Sequence, residues 1–184
     1  MKNLITLSAV TFAAYFILLP HQQARSAEKL VEVMLADKLD EARGYCLDIA
    51  GGKGRRAPLD RGLQAHTCYH YTGSILEDQG FDAALIGKGQ FRIPYFRVCM
   101  SVPSVATGAA ITLEQCKNSD TQKFTLKPNG QLISQKDPKL CVTVSSTEKR
   151  EGRGGFPIHV MRPLTLQMCN NDQKAHQTWS LYSQ

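Results

Sequence analysis

The chain has 184 residues, of which 42% are hydrophobic and 21% charged, a balance that suits one globular domain, or two small ones, and excludes a disordered or fibrous chain. Its 22 basic and 16 acidic residues give a formal charge of +6, which is too diffuse, with no run of five or more like charges, to name a ligand. The six cysteines, spread from Cys46 to Cys169, are the informative count, because an even number reads as a disulfide framework in an oxidising compartment and as metal or redox chemistry in the cytosol.

Residues 1–27 hold Lys2 and Arg25 and no acidic residue. Between these two cations, Leu4 to Leu19 is mostly apolar, broken only by Thr6, Ser8 and Thr11, and Ala24-Arg25-Ser26 offers a small-x-small site. The pattern predicts a signal peptide over residues 1–26, cleaved after Ser26, with Ala27 the less favoured position, and a secreted or periplasmic product. An uncleaved N-terminal anchor is the alternative, since the segment is near the lower length limit for spanning a bilayer. Nothing later in the chain is expected to span a membrane. Cleavage leaves 20 basic against 16 acidic residues, a formal +4, and all six cysteines. A disulfide-supported domain is then the simplest reading, and zinc is disfavoured because no Cys-x-x-Cys spacing occurs.

In chain order after the leader, Val31 to Leu35 predicts the first strand. Cys46 lies in the alternating run Gly44 to Ile49, and Cys68 ends a second run from Leu63. The same order returns with Cys99 in Arg97 to Val102 and Cys116 ending Ile111 to Cys116, and again with Cys141 in Lys139 to Val144 and Cys169 ending Leu164 to Cys169. After each second cysteine comes a Gln-x-aromatic motif: Gln79-Gly80-Phe81, Gln122-Lys123-Phe124 and Gln177-Thr178-Trp179. The first two are followed by a turn and a strand, Gly89 to Ile93 and Gly130 to Ser134. Turn signals such as Gly51-Gly52 and Pro128-Asn129-Gly130 separate the runs, and no long amphipathic helix is evident. The expectation is an all-β domain over residues 27–184, built from three units of roughly fifty residues, about 30–88, 89–130 and 131–184, with about four strands each and twelve in all.

This arrangement resembles the ricin B-type β-trefoil lectin family, whose repeats carry a Cys-Leu-Asp strand, a Gln-Leu-Trp-x-Cys-like strand and a Gln-x-Trp motif. The resemblance covers about residues 30–184. Phe81 and Phe124 replace the tryptophan in two units, and the cysteine-to-cysteine loops are unequal. Six cysteines alone allow roughly fifteen pairings. The resemblance implies that each unit closes on itself, through Cys46–Cys68, Cys99–Cys116 and Cys141–Cys169, each bond contributing on the order of 3 kcal/mol.

Sugar recognition needs a planar apolar face and fixed carboxylate or amide groups beside one shallow pocket. Carried over from the family, the first unit offers Asp48 as hydroxyl acceptor, His66 at the stacking position, and Asp78 where the family usually has Asn, with Gln79 adjoining. Gln64 adds a polar contact, and Tyr69-His70-Tyr71 supplies rings in place of the missing tryptophan. Two carboxylates at the site would favour a cationic or amino-bearing ligand, unless Lys53, Arg55 and Arg56 reverse the local field. The second unit, with Ser101, Glu114 and Thr121 at these positions, and the third, with Thr143, Gln167 and His176, lack the carboxylate and the aromatic face and are expected to be structural.

Simpler roles compete for the same residues. Gln79, Gln122 and Gln177 suit scaffold positions that satisfy backbone groups, and Asp48 suits a turn cap. His66 and His70 flank Cys68, but a bridged cysteine cannot ligate a metal. No Gly-x-Ser-x-Gly, His-Glu-x-x-His or free cysteine points to catalysis. The expectation is an exported, non-enzymatic carbohydrate-binding domain that holds a glycan or polysaccharide mainly through its first unit, with no cofactor, metal or nucleic-acid partner. The alternative is a protein-interaction trefoil, a toxin-type subunit or inhibitor, that has lost sugar binding.

Overall fold

The computed structural model describes residues 29–183, so the signal peptide expected over residues 1–26 lies outside the described residues. Strands β1 (Leu30–Leu35), β2 (Tyr45–Ile49), β3 (Leu63–Thr67) and β4 (Phe81–Asp82) are followed by a single helical turn, α1 (Ala83–Ile86). Next come β5 (Arg92–Ile93), β6 (Val98–Ser101), β7 (Thr112–Gln115) and β8 (Phe124–Leu126). The chain ends with β9 (Leu132–Ser134), β10 (Leu140–Val144), β11 (Arg150–Glu151), β12 (Val160–Met168), α2 (Lys174–Gln177) and β13 (Trp179–Tyr182). Nine of these thirteen strands fall on the runs read from the sequence, β4, β8 and β13 each begin at the aromatic residue of a Gln-x-aromatic motif, and β11 is the addition. Among the described residues no helix is long and apolar enough to cross a membrane.

Pairing is antiparallel throughout, in the order β13-β1-β2-β3-β12-β10-β9-β8, with β4 on β1 and β11 on β12, and with β5-β6-β7 as a separate sheet. The first and last strands close the molecule on each other, Leu35 opposite Trp179 and Val33 opposite Leu181. β12 starts at Val160 rather than at Leu164, as its sequence had indicated, and runs through Pro163. Its first half pairs with β3 and β11 and its second half with β10. Arg162, Leu164 and Leu166 turn inward from it while Met161, Pro163 and Thr165 are half exposed, the period-two burial of a strand that is wet on one face.

Three disulfides join Cys46 to Cys68, Cys99 to Cys116 and Cys141 to Cys169, the pairing that the resemblance implied. Beside each bridge a buried glutamine clamps the chain on both sides of the second cysteine. Gln79 Oε1 accepts from the Tyr69 amide at 3.0 Å and its Nε2 donates to the Thr67 carbonyl at 3.1 Å. Gln122 does the same to Lys117 at 2.8 Å and Gln115 at 3.0 Å, and Gln177 to Asn170 at 2.9 Å and Met168 at 3.0 Å. Each of these groups would otherwise be a backbone donor or acceptor stranded where the strand ends. Two residues beyond each glutamine, Phe81, Phe124 and Trp179 enter the core, all nearly or fully buried. Phe91 links two of them, 6.3 Å from Phe81 and 6.4 Å from Phe124 between ring centroids.

Candidate functional site

The β2–β3 hairpin aligns Asp48 with Gln64 and Cys46 with His66, and β12 brings Met161 alongside His66. Directly opposed residues of an antiparallel pair project from the same face. Gln64 and His66 therefore share one side of the sheet. Here β11 and the first residues of β12 extend the sheet as a ribbon, held at its neck by the Gly152 amide, which donates to the His159 carbonyl at 2.7 Å. Arg43 pins this ribbon. Its guanidinium forms 2.7 Å bonds to both Glu41 oxygens and donates to the Ile158 carbonyl at 2.5 Å, while the Tyr71 hydroxyl and His159 Nε2 lie 2.8 Å apart.

Hairpin and ribbon enclose an open cleft of about 750 Å³, within the size range of small-ligand sites. Gln64, His66 and Tyr69 line it, together with Tyr71, His159 and Phe156. The rings of His66, Tyr69 and His159 form a mutual cluster with centroids 5.2, 5.0 and 5.3 Å apart. Lys53 Nζ sits 5.4 Å from the Tyr69 ring centroid, within cation–π range. Phe156, at 96% exposure, stands at the ribbon tip. Burial pulls the His66 imidazole down to about 4, so the ring is neutral near pH 7. Its Nδ1 lies 2.8 Å from the Thr67 carbonyl and 3.3 Å from Gln79 Nε2, contacts that fix the orientation of the ring. Burial also holds the Tyr69 phenol above its ordinary range, which keeps it a hydroxyl.

The remaining expected site residues, Asp48, Asp78 and Gln79, lie under the cleft with no exposed surface. One Asp48 oxygen accepts from Gln64 Nε2 at 2.9 Å and the other from Gln79 Nε2 at 3.0 Å. Asp78 Oδ2 accepts from the Gly54 amide at 2.6 Å, and its Oδ1 has no hydrogen-bond partner among the described residues. Burial raises both carboxyls, Asp48 well above the ordinary range with the Asp78 charge adding to the effect, and Asp78 to about 6. Of the three cations expected to set the local field, Lys53 lines the cleft, while Arg55 is paired with Glu77 at 2.7 Å.

His159, Phe156, Arg61, Arg150 and Arg153 were not anticipated as cleft residues. The signal that points to the ribbon is length: Cys141 and Cys169 are 28 residues apart, against 22 and 17 in the other pairs. The extra chain belongs to the third unit but serves the first. A smaller hollow of about 160 Å³ lies against the third unit, lined by Asn129, Asn170, Asn171 and neighbouring polar residues, with no aromatic ring and with none of Thr143, Gln167 and His176 in its lining. Glu32, Cys46, Cys68 and His70 gather within 4.8 Å of one another, but both sulfurs are spent on the bridge and only two donors remain. Glu32 instead pairs with His70 Nδ1 at 2.6 Å.

Three solved structures share the architecture. The agglutinin from Abrus precatorius is 15% identical at a TM-score of 0.56, with 83% of this chain and 46% of that one covered, so this chain spans about half the agglutinin's length. The earthworm lectin C-terminal domain, solved as a mutant in complex with 6'-sialyllactose, is 11% identical at a TM-score of 0.54 over 85% of this chain and 99% of that domain. The designed three-fold symmetric protein ThreeFoil is 15% identical at a TM-score of 0.58, covering 84% of this chain and 99% of its own. At these identities the likeness is one of fold, a β-trefoil. No curated protein sequence matches the chain significantly. The sequence itself matches the ricin-type beta-trefoil lectin domain over residues 38–161 and 97–184. With most of its length matched and with the trefoil architecture in place, the chain belongs to the ricin-type beta-trefoil lectin domain family.

Proposed function

We propose that the protein is an exported, non-enzymatic carbohydrate-binding domain and that its glycan site is the cleft between the β2–β3 hairpin and the β11–β12 ribbon. The observation that carries this reading is the ring cluster of His66, Tyr69 and His159 beside the Gln64 amide, in a cleft of about 750 Å³. A pyranose presents an apolar C–H face and a rim of hydroxyls, and needs stacking surface and fixed polar groups side by side. Asp48 acts from beneath. It holds Gln64 and Gln79 in place, and the Gln64 oxygen and second N–H are the groups that meet a sugar hydroxyl in place of the Asp48 carboxylate. Asp48 and Asp78, the carboxylate pair nearest the cleft, are sealed from solvent, which supports binding rather than glycoside hydrolysis.

The buried Asp48 also favours a second reading, a trefoil that has lost sugar binding and docks a protein partner through the exposed Phe156. A glycan array followed by titration of its hits distinguishes the two. Tyr71 is 41% exposed, so Tyr71→Ala tests the site with little risk to the core. The expected result is an array hit whose affinity falls about tenfold in Tyr71→Ala, a loss of about 1.4 kcal/mol. An unchanged affinity would move the sugar elsewhere on the trefoil. A blank array together with a stable co-purifying protein would replace the first reading with the second.

A further inference from the structure

The charge lining the cleft is of one sign. Lys53, Arg61, Arg150 and Arg153 all face it and all are exposed, and among the described residues no carboxylate lines it. Nor are these four neutralised by ion pairs among the described residues. Of the nearby carboxylates, Glu41 is paired with Arg43 and accepts from Thr67, Glu77 is paired with Arg55, and Asp40 with Lys149 and Arg162, while Asp60 and Glu151, the chain neighbours of Arg61 and Arg150, are exposed and do not line the cleft. The two acids that the sequence placed at this site lie beneath its floor, where burial favours their protonated forms. The cations come from two separate parts of the chain, the segment after β2 and the ribbon, and they meet only because the ribbon folds over the hairpin. A concave surface with charge of one sign focuses its field on whatever enters.

We infer that the cleft takes an acidic saccharide, one carrying a carboxylate or sulfate group, with Lys53, Arg61, Arg150 and Arg153 as the charge-reading residues and the His66, Tyr69 and His159 rings as the stacking floor. This rests on the cleft being the sugar site. Arginine suits the task, since its planar fork of donors matches a carboxylate or sulfate edge to edge. The ribbon bearing Arg150 and Arg153 also makes specificity separable from the scaffold, because residues 153–158 are all exposed.

Matched ligands that differ only in charge test the inference. Oligogalacturonate is compared with its methyl ester, and 3'-sulfated lactose with lactose, by calorimetric titration of the intact mature protein, so that one pair reads carboxylate and the other sulfate. The expected result is that the acidic member of at least one pair binds about tenfold tighter at roughly 0.02 M salt and that the preference shrinks severalfold by roughly 0.5 M. The doubly reversed variant Arg150→Glu/Arg153→Glu should abolish the preference. Lys88→Glu/Lys127→Glu, which changes net charge equally at exposed positions away from the cleft, should keep it. Equal binding of neutral and acidic members, or an equal loss in both double variants, would overturn the acidic preference while leaving the sugar site in place. Failure of all four ligands alongside an array hit for a neutral glycan would do the same. Failure of all four alongside a blank array would remove the sugar site and the inference together.

Discussion

Asp78 shows how a single buried side chain sets a pH response. Its carboxyl has one bonded oxygen, on the Gly54 amide, and one without a partner among the described residues. Burial raises it from an ordinary 3.8 to about 6. Between those values the folded chain keeps a proton that the unfolded chain has released, so the Asp78 contribution favours folding at low pH and declines as pH rises from 4 to 6. His66 works in the opposite sense: lowered from 6.5 to about 4 by burial, it contributes stability that is present above 6.5 and lost as pH falls towards 4. In the wild-type protein the two slopes oppose one another across the same window. Asp78→Asn keeps an oxygen for the Gly54 amide and removes one side of the balance. Denaturant titrations should therefore find the variant close to wild type at pH 4 and more stable at pH 7, by at most about 3 kcal/mol for a shift of roughly two pH units. A variant that is less stable than wild type at pH 7 would show that Asp78 is held ionised in the fold.

At the scale of elements, the ribbon of β11 and β12 is the piece the family pattern does not supply, and it makes half of the cleft. The strands around the cysteines were legible because alternation, two bridgeable sulfurs and a Gln-x-aromatic motif all mark them locally. The ribbon carries no such mark: residues 152–157 read Gly-Arg-Gly-Gly-Phe-Pro, a run of turn formers without alternation, and its anchors Arg43 and Tyr71 lie 115 and 88 residues from the Ile158 and His159 atoms they hold. The burial of Asp48 was not legible for a related reason. A Cys-Leu-Asp match fixes its position on β2, but whether it faces solvent depends on Gln64 and Gln79 reaching across to fill both its oxygens. If the ribbon serves ligand capture rather than folding, its tip is expendable to the trefoil. Replacing residues 153–158 with Asn-Gly leaves Gly152 and His159 as the flanking pair of a two-residue hairpin, for which Asn-Gly is the preferred turn. Urea denaturation should place this variant within about 1 kcal/mol of wild type, while titration with an array hit should show at least about a tenfold loss of affinity. A collapse of stability would make the ribbon part of the core. Full affinity would leave the hairpin side as the whole site.

The molecule as a whole is held by one device used three times, a bridge with a glutamine clamp beside its second cysteine, and by one seam, the pairing of β1 with β13. The clamps were foreseeable as scaffold because a repeated Gln before a core aromatic has little else to do when buried. The seam follows from the first strand preceding the first cysteine, so the third unit must return to it. Its consequence is cooperativity: neither the first unit nor the third completes its strand pairing until the last strand lies on the first. The sole tryptophan, Trp179, reports on that closure directly, being 2% exposed in β13, opposite Leu35 of β1 and bonded through Nε1 to the Val142 carbonyl at 3.0 Å. Urea unfolding followed by Trp179 fluorescence should coincide with unfolding followed by far-UV circular dichroism, in one transition, as expected of a single domain of this size. Reduction of the bridges should move both curves together to lower urea, by at least about 3 kcal/mol, because each bridge limits the unfolded ensemble. If fluorescence changes first, the seam opens while the three units persist, and the trefoil is an assembly of semi-independent parts rather than one cooperative fold.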